Sequence, residues 1–150
     1  MTTSMKTFRR AWTAGWFGAA ALAVANGGLR DVVYLPLTGE LAARQLSTIS
    51  LLMLLAAYLW WLDRSRPIPS ARAAAGVGAA WTAATLLFEF GLGHFVEQKP
   101  WSVLLADYDI TSGRIWLLIP IWVAIGPTVV RRLRVSRTES AEFHHQTEKG

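Results

Sequence analysis

The sequence predicts an all-α integral membrane protein, a four-helix bundle with both termini in the cytoplasm. Of the 150 residues, 53% are apolar and only 17% are charged, whereas charged residues make up about 25% of a typical soluble domain. The charges cluster between long apolar segments, and these segments approach the length of about 20 residues that crosses a bilayer. We therefore expect one membrane domain over residues 1–150.

The first apolar segment, residues 11–29, follows a short basic start. Small residues recur along it at every fourth position (Gly15, Ala19, Ala23 and Gly27), which predicts close approach of a neighbouring helix. Residues 1–25 also fit a cleaved secretory signal peptide, with an apolar core before a small-residue site. This alternative leaves the topology of the remaining chain unchanged.

Three further segments have the composition of membrane spans: residues 45–62, 73–93 and 114–130. The second closes with Trp60 and Trp61, a pair typical of the membrane interface. The third begins almost entirely with Ala and Gly, which predicts a central helix whose Ala79 and Ala83 contact a neighbour closely.

The fourth span contains Pro120 and Pro127, which we expect to bend it. Beyond it, residues 131–150 form a basic and then polar tail, expected to be disordered at its end, with a solvated His144–His145 pair.

The connectors carry two local signals. Glu40 and Arg44 have the spacing of an ion pair at the start of a helix. Pro100 precedes a short apolar run from Trp101 that has the composition of an interfacial helix.

The distribution of positive charge predicts the orientation. Of the 15 Lys and Arg residues, all but Arg30, Arg44, Lys99 and Arg114 lie in the amino-terminal segment, the 63–72 turn or the tail. Because cytoplasmic loops are enriched in Lys and Arg, both termini are predicted to be cytoplasmic, which in a bacterium means the inner membrane. The same clustering beside apolar segments argues against a nucleic-acid partner, despite a net charge of +5.

One polar residue from each span lies at a similar distance from the basic anchors. These residues are Asn26, Ser47, Glu89 and Arg114, counted from Arg10, Arg64, Arg72 and Arg131. At about 1.5 Å per residue they share a level roughly 25 Å from the anchors. This layer predicts an outward-facing polar pocket, with helix capping and bundle cohesion as the alternative.

Glu89 is the residue around which this prediction is organised. It shares a helical face with Thr82 and Thr85 inside an apolar segment. A carboxylate near hydrocarbon is costly and needs a partner. We expect that partner to be Arg114, at the same depth, rather than Arg30, which lies about one turn further out.

The outer connectors add further ligand-binding candidates, namely Arg30, His94, Asp107 and Asp109. Together with Glu97 they include oxygen and nitrogen ligands, but a single histidine in this group is too little for zinc, and we expect no metal or other cofactor. Asp109, or Thr111 or Ser112 nearby, is instead expected to cap the fourth helix.

Several catalytic classes lack their residues. The chain has no cysteine, so thiol chemistry is excluded. It has no glycine-rich phosphate loop and no nucleophile elbow. The catalytic residues, if any, are therefore unassigned by the sequence.

Three segments carry a family resemblance: Asn26–Asp31, Phe88–His94 and Asp107–Trp116. Together they resemble a family of small, uncharacterised bacterial four-span membrane proteins. The resemblance covers residues 26–127 and implies the same topology, but no activity.

The sequence leaves three functions open. The first is binding of a small ligand or lipid headgroup, associated with transport. The second is a membrane enzyme acting on a lipid headgroup, with Glu89 or His94 as general base. The third is a structural partner in a membrane complex. Membrane lipids are the expected partners, with a homo-oligomer or larger complex as a possibility, since four short helices make a poor pore alone.

Overall fold

The computed structural model describes the backbone of residues 2–147 and the side chains of residues 5–141. Over this range the chain is helical, without a strand. In chain order the α-helices are α1 (Thr2–Leu29), α2 (Leu35–Thr38), α3 (Glu40–Ser65), α4 (Ala71–Gly91), α5 (Trp101–Ala106) and α6 (Leu118–Thr147). The all-α prediction is confirmed, as is the short helix that begins at Trp101.

Each predicted span coincides with one of the four long helices, but the last begins late. Residues 114–115 are irregular, residues 116–117 form a turn, and α6 starts at Leu118 rather than at residue 114. Pro120 therefore lies in the first turn of α6, where its missing N–H breaks no helical hydrogen bond. Only Pro127 lies inside the helix.

The tail continues α6 as far as Thr147, so the expected loss of structure does not occur within the described residues. Hydroxyl groups of the tail bond to carbonyls of the preceding turn, as Thr138 does to Arg134. The side chains of His144 and His145 lie outside the described residues.

Among the described residues, two helical segments are long and apolar enough to cross a membrane, Glu40–Ser65 and Ala71–Val96. The second joins α4 to a π-helical turn, Leu92–Val96. Of the 18 most apolar consecutive residues in each segment, only 33% in the first segment and 17% in the second are buried inside the protein. The remaining long helices are less apolar: α1 is diluted by Trp, Gly and Thr, and the apolar part of α6 ends at Arg131.

The long helices alternate in direction and share one core, which includes Trp12, Leu51, Leu59, Trp81, Ile119 and Val123. α6 packs extensively against α4 and α3, and α3 packs against α1. By contrast, α1 and α4 are in close contact over a short region only. The bundle is therefore most loosely closed along the seam between α1 and α4.

The end of the bundle near the 66–70 turn is fastened by a buried carboxylate. Asp63 is 2% exposed, and it accepts a hydrogen bond of 2.7 Å from Nε of Arg134. Its other oxygen accepts the backbone N–H of Ile68 at 2.9 Å. Asp63 therefore joins α3, the turn and α6.

The close-packing stripe of α4 differs from the prediction. Ala79 and Ala83 are exposed, whereas Ala74 and Gly78 are buried. A Cβ at Gly78 would collide with the carbonyl group of Ala124 in α6. Small residues fill both faces of this part of α4, so composition alone did not distinguish the packed stripe from its neighbour.

Candidate functional site

The α1–α4 seam is closed at one level by indole side chains. Trp81 Nε1 donates to the carbonyl of Trp12 at 3.0 Å, and Trp16 Nε1 donates to Thr85 Oγ1 at 3.1 Å. Both pairs have a sequence separation of 69. The two helices therefore run parallel in a constant register, which assigns a depth to every residue on the facing sides.

Beyond the indoles the seam opens into a cavity of about 260 Å³. Its inner wall is mostly apolar and includes Trp16, Ala19, Ala20, Ala23, Leu55 and Ile119. The small-residue stripe of α1 divides here: Gly15 is buried against neighbouring side chains, whereas Ala19, Ala23 and Gly27 line the cavity. The stripe thus serves helix packing at one end and leaves open space at the other.

Charged residues gather toward the outer end of the cavity. The lining there includes Arg30, Arg44, Glu97, Lys99, Asp107 and Arg114. The cavity is therefore amphipathic, with apolar walls in its depth and charges of both signs around its mouth.

Glu89 lines the cavity, but its partners are neutral. Its Oε2 accepts hydrogen bonds from the Tyr108 hydroxyl at 2.6 Å and from Trp116 Nε1 at 3.1 Å. Among the side chains of residues 5–141, no ion pair reaches Glu89. The predicted Glu89–Arg114 pair is therefore wrong, and so is its alternative with Arg30.

Arg114 instead pairs with Asp107, whose Oδ1 lies 3.3 Å from Nη1. The same oxygen accepts Nη1 of Arg44 at 2.9 Å. Arg44 also bonds to Glu40 at 3.2 Å, which confirms the ion pair predicted from their spacing. The carboxylate of Asp107 therefore accepts both guanidinium groups, and neither pairs with Glu89.

Tyr108 is held as a hydrogen-bond donor by its surroundings. Burial raises the pKa of its hydroxyl above the ordinary value of 10.0, and the hydrogen bond to Glu89 raises it further. The ring also stacks on Phe90, with centroids 5.7 Å apart. At neutral pH the Tyr108 hydroxyl therefore remains protonated, and it donates a hydrogen bond to the carboxyl group of Glu89.

Asn26 and Ser47, two residues of the predicted polar layer, are in direct hydrogen-bond contact. Asn26 is 3% exposed, and its Nδ2 donates to Ser47 Oγ at 2.7 Å and to the Ser47 carbonyl at 2.9 Å. Its Oδ1 accepts the Ser50 hydroxyl at 2.7 Å. Ser47 lines the cavity, and Asn26 supports it from behind.

The predicted single level separates into two. The register of 69 residues pairs Glu89 with Ala20, which lies six residues before Asn26. At about 1.5 Å per residue, Glu89 is roughly 9 Å deeper than Asn26. Counting from basic anchors missed this offset because Arg10 and Arg72 are not level with each other.

The other candidates lie away from the inner wall. His94 stacks on Trp101 with centroids 4.3 Å apart, and its Nδ1 is 3.1 Å from the carbonyl of Lys99. His94 is not part of the cavity lining. Arg30 reaches the lining while it bonds to the adjacent Asp31 at 2.8 Å, and this contact lowers the pKa of Asp31.

Asp109 lies on the outer surface and accepts the backbone N–H of Thr111 at 3.0 Å. The hydrogen bonds from Thr111 lower the pKa of Asp109. It therefore caps the short 3₁₀ helix Ile110–Ser112, and the prediction that it caps the fourth helix is wrong. The intervening turn at Gly113, with φ of 79°, separates that cap from α6.

Metal ligands do not assemble in the described part of the chain. No group of three or more His, Asp or Glu side chains there has the proximity to hold an ion.

Sequence reasoning overlooked Tyr108, Trp116 and Arg44 as site residues. Two of them lie in segments already singled out, since Tyr108 follows Asp107 and Trp116 follows Arg114 closely. The available signal was that an aromatic residue with a polar group, Tyr108 or Trp116, lies close in sequence to a charged candidate.

Comparisons of the chain with protein-family models, with curated proteins and with solved structures found no match. The resemblance to small bacterial four-span proteins therefore stays a prediction.

Proposed function

We propose that this chain is a four-helix protein of the bacterial cytoplasmic membrane that binds an amphipathic small ligand or lipid. The apolar part of the ligand lies in the α1–α4 seam, and the headgroup of the ligand lies at the charged mouth of the cavity. Such binding is associated with transport or transfer of the ligand. The observation that carries the proposal is the amphipathic cavity of about 260 Å³ at the loosest seam of the bundle.

A membrane location is supported by what the long helices expose. Large apolar side chains on α3 remain outside the core, including Met53 at 63% exposure and Leu54 at 43%. A soluble protein of this size rarely exposes so much contiguous apolar surface. Lipid chains satisfy these side chains, and Trp60 and Trp61 beside Arg64 have the arrangement of an interface belt.

The orientation in the proposal is supported by charge. The basic residues of the amino-terminal segment, the 63–72 turn and α6 all lie toward the end opposite the cavity. With both termini cytoplasmic, the charged mouth faces outward.

The enzymatic alternative is supported by Glu89 alone. Its Oε1 takes part in no hydrogen bond among the described side chains, and the residue lines the cavity. His94 stacks on Trp101 outside the lining, so Glu89 is the better candidate for a general base. The assembly role keeps its place as a third proposal, in which a homo-oligomer or larger complex covers the exposed face of α3.

Native mass spectrometry of the protein, extracted from membranes, tests the proposal. We expect the wild type to carry a bound amphiphile. Ala20→Leu should remove this adduct because Ala20 lines the cavity, whereas Ala21→Leu on the exposed side of α1 should retain it. Equal adducts in all three proteins would place the amphiphile on the outer surface and contradict the proposal.

A further inference from the structure

We propose that the ligand of this cavity is a hydrophobic amine or quaternary ammonium whose positive charge is held at Glu89. This inference rests on the proposed function and specifies the chemical class of its ligand. It is carried by charge pairing around the cavity, by the aromatic side chains beside Glu89 and by the depth of that residue.

The charge pairing leaves a negative site. Each cationic side chain in the lining has a carboxylate partner: Arg30 with Asp31, Arg44 and Arg114 with Asp107, and Lys99 with Glu97. Among the charged lining residues, Glu89 is the one whose described contacts include no opposite charge. A ligand anion would have to displace a carboxylate from these pairs, whereas a ligand cation meets a carboxylate bound only by neutral donors.

The aromatic surroundings favour an organic cation. Trp116 bonds to Glu89, and Tyr108 bonds to the same oxygen. Trp16 is bonded to Thr85, one turn deeper on the same face of α4, and its ring meets Phe88 edge-on with centroids 6.0 Å apart. All of these residues line the cavity. Aromatic faces attract ammonium groups without requiring their full hydration, which suits a site below the mouth.

The depth of Glu89 selects where the charge lies on the ligand. Glu89 is level with Ala20, and the apolar walls begin there. Arg30 follows Ala20 by ten residues, just beyond the end of α1, and Arg44 lies beside Asp107 at the mouth. A charge attached directly to an apolar skeleton reaches Glu89 with that skeleton in the seam. In an ethanolamine phospholipid the phosphate precedes the amine, so the phosphate would meet Glu89 first.

The inference is tested with chain-matched probes on the full protein in dodecyl maltoside micelles. The probes are dodecyltrimethylammonium, dodecanol and dodecyl phosphate, and binding is followed by the fluorescence of the cavity tryptophans. We expect the ammonium probe to bind about tenfold more tightly than dodecanol. Stronger binding of dodecyl phosphate, or equal binding of the ammonium and the alcohol, would overturn the assignment.

Variants connect the preference to Glu89. Glu89→Gln should abolish the ammonium preference, Glu89→Asp should keep most of it, and Glu139→Gln, which changes an exposed acid of α6 away from the cavity, should leave it unchanged. A preference that persists in a folded Glu89→Gln protein would overturn the assignment. The probe comparison in the wild type needs no variant, so the test survives if Glu89→Gln does not fold.

Failure of this inference is distinguishable from failure of the proposed function. Suppose that all three probes bind equally and that Ala20→Leu weakens their binding. The cavity would then remain a ligand site, and only the ammonium preference would be removed. Absence of binding by every probe would count against both. Displacement of the ammonium probe by an equal concentration of ethanolamine phospholipid would overturn the requirement that the charge lie directly on the apolar skeleton.

Discussion

Trp116 donates its indole N–H to Glu89 across 3.1 Å and thereby joins the segment before α6 to the end of α4. Tyr108 bonds to the same carboxylate oxygen from the outer connector. Both donors are neutral, so Glu89 is oriented without being neutralised. Glu89 therefore lies in a mainly apolar cavity without an ionic partner, and a cationic ligand can pair with it.

Tyr108→Phe should destabilise the protein by about 1.5 kcal/mol, the lower part of the range for hydrogen bonds to charged groups, because Tyr108 is only half-buried. Thermal unfolding in detergent measures the change. Tyr34→Phe is the matched control, since the Tyr34 hydroxyl forms no hydrogen bond with the side chains and backbone that the structure describes. Equal melting temperatures for the Tyr108→Phe protein and the wild type would mean that this hydrogen bond is not maintained.

The raised pKa of Tyr108 predicts alkaline lability. A group whose pKa is higher in the folded state binds its proton more tightly there, so its contribution to stability is complete below about pH 10 and is lost as the pH rises above that value. Ultraviolet absorbance of tyrosinate, compared between wild type and Tyr108→Phe, isolates this residue. Ionisation of Tyr108 at or below the ordinary value would contradict the buried hydrogen bond.

Gly78→Ala should destabilise the bundle by about 1–3 kcal/mol through overpacking, because the new Cβ would meet the Ala124 carbonyl. Gly76 provides the control, two residues earlier in the same helix with no atom within 4 Å of its Cβ position. There the same change should stabilise α4 by about 0.5–1 kcal/mol. Similar melting shifts for the two variants would show that α4 and α6 do not pack in this register.

Reporter fusions test the orientation in the membrane. With cytoplasmic termini, fusions at residues 36 and 104 should report the external side, and a fusion at residue 68 should report the cytoplasm. Residue 68 lies in a turn that is held by a hydrogen bond to Asp63. The reporter for this position is therefore attached to a chain that is truncated just after the turn. An external signal at 68 would reverse the proposed topology.

The four long helices were predictable from the sequence because their signals are local. Apolar length, basic flanks and the prolines after Arg66 specify where each helix lies. The start of α6 was misplaced because residues 115–117 are as apolar as the helix that follows, but they come directly after the left-handed turn at Gly113. Hydropathy alone does not report a backbone turn.

The membership of the site was predictable only in part, since Asn26, His94 and Asp109 do not line the cavity, and its pairing was not predictable. Glu89, Ser47, Asp107 and Arg114 all reach the cavity, as expected for polar residues near one end of a bundle. Their partners depend on the relative shift of neighbouring helices, which the sequence does not state. In the structure Arg114 pairs with Asp107, and Glu89 accepts the aromatic donors instead.

The central claim, that the α1–α4 seam holds an amphipathic ligand, is tested most directly by photolabelling in membranes. An alkyl amine with a diazirine in its chain is activated, and the labelled residues are located by peptide mass spectrometry. The account predicts labels concentrated between Ala19 and Ala23 of α1 and around Thr85 of α4, and their loss in Ala20→Leu. Labels confined to the outer face of α3, at Met53 and Leu54, would contradict it.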